Sequence, residues 1–187
     1  MDRCKVGVIG CGDISRVYLH SLTQVFRNTQ VVAVSSRGGE SARRRAAEFD
    51  IPYAVSTEEL LAMEFDIVVI LTDPVSHFRL AEQALLAGKH TYVEKPLAAT
   101  TAEAAHLLTL AREKNLMLTC APDTLLGGGI QTCRKLIDNG LIGTPVASVG
   151  QTFNGGPESW HPNPFFLYQK GAGPLYDVGP YYIGGIL

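Results

Sequence analysis

Apolar residues fall into short continuous runs separated by longer stretches in which apolar and polar positions recur at helical spacing. Residues 5–9, 31–34, 67–71, 91–93 and 116–120 form runs of three to five, mostly rich in Val, Ile or Leu. Runs that are continuous rather than alternating predict strands buried on both faces of a parallel sheet. Stretches 14–26, 41–49, 74–87 and 101–114 are each long enough for a helix. Ser56 with Glu59, and Thr100 with Glu103, have the spacing of capping boxes. Gly88, after LAEQALLA, reads as a C-terminal cap. Successive β-α-β units imply right-handed crossovers and a doubly wound sheet.

The rhythm changes after Cys120. APDTLLGGGI is a glycine-rich junction, 129–140 predict one more helix, and PVASVGQTF (145–153) alternates like a strand of a second domain. From Asn154 onward glycine, proline and aromatics dominate. The expected division is a first domain over 1–121 and the beginning of a second over 122–187.

Composition narrows the classes. With 187 residues and 46% hydrophobic content, a sizeable core is expected and disorder is not. A formal charge of −2 gives no electrostatic reason to expect nucleic acid or an anionic membrane as partner. No run approaches the roughly 18 apolar residues of a membrane span, and MDRCKVGVIGCG lacks a signal-peptide core. Four cysteines (Cys4, Cys11, Cys120 and Cys133) show no metal-ligand spacing. They read as small buried hydrophobes in a reduced cytoplasmic protein, with no metal expected.

The first candidate chemistry is GVIGCGDIS, which sets Gly10-x-Gly12-x-x-Ser15 between a predicted strand and a predicted helix. A dinucleotide fingerprint needs this context: Gly10 for the tight turn, Gly12 for approach of pyrophosphate to backbone N–H groups. Ser15 stands at the third glycine position, so helix and strand should pack slightly less closely. The alternative is a strand-to-helix turn without a nucleotide. An NAD site carries an acid at the end of the second strand, whereas here VVAV runs into Ser35, Ser36 and Arg37. Hydroxyls and a guanidinium suit a 2′-phosphate, so NADP is favoured over NAD, with Glu40 as the competing ribose ligand. Arg44 and Arg45 read as a solvated helix face.

Glu94-Lys95-Pro96 ends the fourth predicted strand. Ligands of open α/β sheets bind outside the carboxyl ends of strands, so Lys95 should face the crevice, its backbone held extended by Pro96. GVIGCGDIS, LTDPVSHFRLAEQALLAGKHTYVEKPLA and IDNGLIGTPVAS together resemble the Gfo/Idh/MocA family of NAD(P)-dependent oxidoreductases, over essentially the whole chain. The resemblance implies a Rossmann domain followed by an α+β substrate domain, here incomplete, and a subunit interface formed by the latter's sheet. It also implies a cis Lys95–Pro96 peptide. Gly10, Gly12, Asp13, Ile14, Ser36, Arg37, Thr72, His77, Glu94 and Lys95 are the cofactor-binding positions on this reading.

Family members carry a D-x-G-x-H-x-x-D motif that joins the strand-end lysine at the substrate. DVGPYYIG matches at Asp177 and Gly179, but Tyr181 takes the histidine position and Gly184 that of the second aspartate. Lys95, Asp177 and Tyr181 are therefore the expected catalytic set, with Tyr181, rather than Tyr182, moving the proton. His161 is the alternative imidazole, while His20, His90 and His106 read as packing or surface residues. The activity implied is reversible oxidation of a secondary alcohol on a sugar, polyol or related cyclic compound, by a homo-oligomer when full length. A non-catalytic cofactor-binding regulator and an NAD-dependent hydrolase or lyase stay open. The family's second domain continues well past this motif, which reads the chain as a truncated product or fragment.

Overall fold

The computed structural model describes residues 3–153, 155–159, 164–168 and 172–186. It divides into two compact units, Met1–Cys120 and Ala121–Leu187. In the first, β1 (Cys4–Ile9), β2 (Thr29–Ser35), β3 (Tyr53–Val55), β4 (Ile67–Ile70), β5 (His90–Val93) and β6 (Leu118–Cys120) form one parallel sheet in the order 3-2-1-4-5-6. That is the doubly wound order, with its switch point between β1 and β4. The helices are α1 (Ser15–His20), α2 (Glu40–Glu48), α3 (Thr57–Ala62), α4 (Pro74–Leu86) and α5 (Thr101–Glu113).

The chain turns both faces of this sheet into core. Leu19 of α1 and Ala42 of α2 pack with Val6, Val8, Val34 and Val69 on one face. Leu60 of α3, Leu80 and Leu85 of α4 and Leu107 of α5 pack with Ile9, Val68, Ile70 and Val93 on the other. Neighbouring residues such as Val8 and Ile9, or Val68 and Val69, enter opposite layers because strand side chains alternate. This is why the strands read as continuous apolar runs.

Helix punctuation follows the local signals. Both capping boxes form, at Ser56–Glu59 and Thr100–Glu103. Gly88 takes φ +76°, its N–H donates to the Leu85 carbonyl at 3.1 Å, and the Lys89 N–H reaches Ala84 at 3.0 Å, closing a Schellman motif. The pattern misses β3 and the body of α3, since both are short and β3 lies half exposed at the sheet edge. The single helix expected over 14–26 is α1 followed by a π-helical turn, Ser21–Val25. The hydroxyls of Ser21 and Thr23 donate to carbonyls four residues back, at 3.0 and 2.7 Å, and compete with the regular ladder.

The second unit holds α6 (Gly128–Asp138), α7 (Pro174–Asp177), α8 (Gly179–Ile186) and short 3₁₀ turns. The expected helix over 129–140 is α6. The expected strand over 145–153 does not form. A strand needs a neighbour to pair its N–H and C=O groups, and among the described residues this unit has no second strand. Val146, Val149 and Phe153 are accordingly exposed. Cysteine burial is also narrower than expected: Cys11 is buried, Cys4 and Cys120 are half-buried, and Cys133 on α6 is exposed. No helix among the described residues is long and apolar enough to cross a membrane.

Candidate functional site

β1 delivers the chain to the switch point, where Gly10 turns it with φ +103°. A Cβ there would lie 2.6 Å from the Leu71 carbonyl carbon and 2.8 Å from the Thr72 nitrogen, so only glycine fits. The Gly10 N–H donates to the Ser35 carbonyl at 2.9 Å, tying the turn to the end of β2. Gly12 is the reverse case, because a Cβ on it would meet no protein atom within 4 Å. A cleft of about 450 Å³ opens here, lined by Gly10, Gly12, Ser36, Arg37, Thr72 and Asp73 among others. Two glycines beneath an open cradle at the start of α1, with hydroxyls and a guanidinium opposite, fit a dinucleotide phosphate chain.

At the end of β2 the Ser36 Oγ accepts the Ala42 N–H at 3.1 Å, which leaves its own O–H able to donate. Arg37 pairs with Asp73 at 3.2 Å, with side chains 87% and 39% exposed. So exposed a pair contributes about 0–1 kcal/mol, and a phosphate could displace the carboxylate at little cost. Glu40, the competing ribose ligand, is exposed on the first turn of α2 and is not among the residues lining the cleft. Asp73, which sequence reasoning passed over, gives the cleft its nearest carboxylate to Arg37. Its position as the residue before Pro74 at the helix start was the available signal.

β5 ends at Val93 and leads directly into Glu94, Lys95 and Pro96, and the Lys95–Pro96 peptide is cis. The Glu94 carboxylate is committed at both oxygens. Oε1 accepts the Tyr18 hydroxyl at 2.6 Å and Oε2 accepts the Lys95 N–H at 2.9 Å. Burial, with the Glu94 carboxylate beside it, pushes the Tyr18 phenol far above its ordinary value, so it acts as a fixed donor. Tyr18 was not a candidate from sequence, because only the packing of α1 against β5 brings it there. Tyr18→Phe should lower the stability of this unit by about 1–2 kcal/mol through the lost donor, measured as a fall in thermal midpoint. An unchanged midpoint would show the bond to be dispensable.

His77 differs from expectation. It is 1% exposed, with Nδ1 2.6 Å from the Pro96 carbonyl and Nε2 3.0 Å from the Thr72 carbonyl. Both nitrogens lie within hydrogen-bond distance of backbone carbonyls, so the ring sits between two crevice segments, and His77 is not among the residues lining the cleft. Arg45 is the second correction. Instead of lying on a solvated face it is buried, 5% exposed, because its guanidinium folds beneath the glycine turn. Arg44 is exposed as expected. His90 accepts the Met117 N–H and His106 pairs with Glu82 at the surface, in keeping with structural roles.

In the second unit Asp177 ends α7 and Tyr181 lies in the first turn of α8, separated by a break at Val178. Tyr181 and Tyr182 are equally exposed, at 37% each. The Tyr182 ring lies beside Gly150, 3.0 Å from where a Cβ would stand. A Cβ on Gly184 would come within 2.8 Å of Leu125, so the space of the motif's second aspartate is filled by an apolar side chain. His161 lies outside the described residues.

Known proteins resemble this arrangement. The Gfo/Idh/MocA model, described as an oxidoreductase family with NAD-binding Rossmann fold, matches residues 4–121. The dTDP-3,4-didehydro-2,6-dideoxy-α-D-glucose 3-reductase of Streptomyces violaceoruber is 34% identical over 178 residues, 95% of this chain and 52% of that protein. The UDP-N-acetylglucosamine 3-dehydrogenase of Acidithiobacillus ferrooxidans is 36% identical over 135 residues, 72% of this chain and 42% of that one. Among solved structures, the 3-ketoreductase KijD10 of Actinomadura kijaniata, crystallised with NADP, superposes with TM-score 0.70 at 33% identity, covering 76% of this chain and 46% of its own. The chain thus spans about half the length of the curated relatives it matches. With the glycine turn, the strand order and a family match across the whole first unit in agreement, the chain belongs to the Gfo/Idh/MocA oxidoreductase family, whose first domain is an NAD-binding Rossmann fold.

Proposed function

We propose that the intact protein is a cytoplasmic NADP-dependent oxidoreductase that interconverts a secondary alcohol and a ketone on a sugar-like ring. The observation that carries this is the cleft at the switch point, with Gly10 and Gly12 on one side and Ser36 and Arg37 on the other. The chemistry supplied by the nicotinamide is hydride exchange with the alcohol carbon. The ring substrate is supported by relatives named for 3-position chemistry on nucleotide-linked sugars.

The chain's own groups have separable tasks. Gly10, Gly12, Asp13 and Ile14 would hold the pyrophosphate on backbone N–H groups at the start of α1, with Ser36 and Arg37 on the 2′-phosphate and Thr72 along the cleft wall. Glu94, fixed by Tyr18, would set the backbone at Lys95. Lys95 would stabilise the developing alkoxide, Asp177 would orient the lysine or a substrate hydroxyl, and Tyr181 would pass the proton. A neighbouring ammonium favours phenolate, which is how a tyrosine could take over the proton transfer of the motif's histidine.

Titration with NADP and NAD by calorimetry tests the cofactor assignment. A charge-assisted contact to the 2′-phosphate predicts tighter NADP binding by about tenfold or more, narrowing as salt rises. Equal affinity, or a preference for NAD, would return the ribose to Glu40 or Asp73. Cofactor reduction with a panel of sugars and nucleotide sugars then tests the reaction. Aglycone release without net cofactor turnover would instead identify the hydrolase or lyase.

A further inference from the structure

Arg45 belongs to the run Arg43–Arg44–Arg45 on α2, yet it alone of the three is buried, with a side chain 7% exposed. Its Nε–H donates to the Ser15 Oγ at 3.1 Å and Nη2 to the Gly12 carbonyl at 3.3 Å. Nη1 pairs with Glu48 at 2.7 Å, and the Glu48 carboxylate also holds Arg16. The Ser15 hydroxyl itself donates to the Gly12 carbonyl at 2.5 Å, and the Ser15 N–H points at that same oxygen at 3.3 Å. One carbonyl of the fingerprint turn is therefore held by a hydroxyl, an amide and a guanidinium together.

This has a geometric consequence. In a planar trans peptide the C=O and N–H point in opposite directions. Drawing the Gly12 carbonyl toward α2 turns the N–H of Asp13 away from the guanidinium, toward the open side of the turn. The charge reaches the turn as well: burial pushes the Cys11 thiol up to about 11 even though Arg45 and Arg44 act in the opposite sense. With two guanidiniums sharing the Glu48 carboxylate, the cluster keeps net positive charge near the turn.

We propose that Arg45 is a positioning residue for the cofactor pyrophosphate, acting with Ser15 as a hydrogen-bonded brace beneath Gly12 where the fingerprint has its third glycine. The proposal rests on the dinucleotide reading of the cleft. It differs from simple structural support because it predicts that the loss is confined to ligands carrying a pyrophosphate.

The test is fluorescence titration of the whole chain with NADPH, with adenosine 2′-monophosphate measured by displacement. The monophosphate has the adenine, ribose and 2′-phosphate but no pyrophosphate. Arg45→Met should raise the Kd for NADPH by about tenfold or more while the monophosphate stays within about twofold, and Arg45→Lys should fall between. NADPH affinity within twofold of the unsubstituted protein, or an equal loss for both ligands, overturns the brace. If Arg45→Met fails to fold, Ser15→Ala makes the same comparison, since it removes the acceptor of Nε and one bond to Gly12. No binding of NADPH or NADH by the unsubstituted protein would strike the dinucleotide reading itself, which the Arg45 comparison leaves intact.

Discussion

Tyr181→Phe is expected to reduce turnover of the intact enzyme by about 10²–10⁴-fold with cofactor affinity nearly unchanged. Removing one hydroxyl deletes the proton donor and acceptor while keeping the ring, so binding and folding should be spared. The reason for assigning this role to Tyr181 is its place four residues after Asp177, where the family motif has its histidine. Equal exposure does not separate it from Tyr182. Tyr182→Phe is therefore the control, and it should leave turnover within about threefold. A loss with Tyr182→Phe instead would exchange the two residues, and normal turnover in both would direct attention to His161. Normal turnover in Tyr181→Phe alone already removes it from the mechanism.

The two glycines of the fingerprint should fail in different ways. Gly10→Ala places a Cβ against backbone of the neighbouring strand end, 2.6–2.8 Å away, at φ +103°. Backbone cannot swing aside like a side chain, and the dihedral is itself unfavourable for alanine. About 3 kcal/mol or more of stability should be lost, with a thermal midpoint lower by about 10 °C or more. Gly12→Ala meets no protein atom. Its midpoint should stay within about 2 °C, whereas its Kd for NADP should rise about tenfold or more because the methyl enters the phosphate cradle. A Gly10→Ala protein as stable as the original, or a Gly12→Ala protein binding NADP normally, would contradict the assignment of the turn.

These contrasts show why the fold was legible and parts of the site were not. A buried parallel strand announces itself through a continuous run such as VGVI or IVVI, because both of its faces lose water. Capping boxes and Gly88 are equally local, since each satisfies backbone groups within a few residues. The strand expected over 145–153 failed for the opposite reason: alternation describes a surface, but a ladder requires a partner. Exposed valines and Phe153 are what remain when none is present in the described part of that unit.

By itself the sequence determined the sheet's strands other than β3, the glycine turn and the identity of the groups at the strand ends, because these follow from short-range spacing and backbone chemistry. Only the tertiary structure decided which charges and hydroxyls are spent. Arg45 and Arg44 are adjacent on one helix, yet one lies buried under Gly12 and the other stays in water. His77 was expected at the cofactor crevice, but it is buried with its ring nitrogens beside the Thr72 carbonyl, five residues back, and the Pro96 carbonyl, nineteen residues on. Tyr18 reaches Glu94 across 76 positions of chain. Such commitments depend on which side of a helix faces the sheet and on what lies opposite, and a linear pattern carries neither.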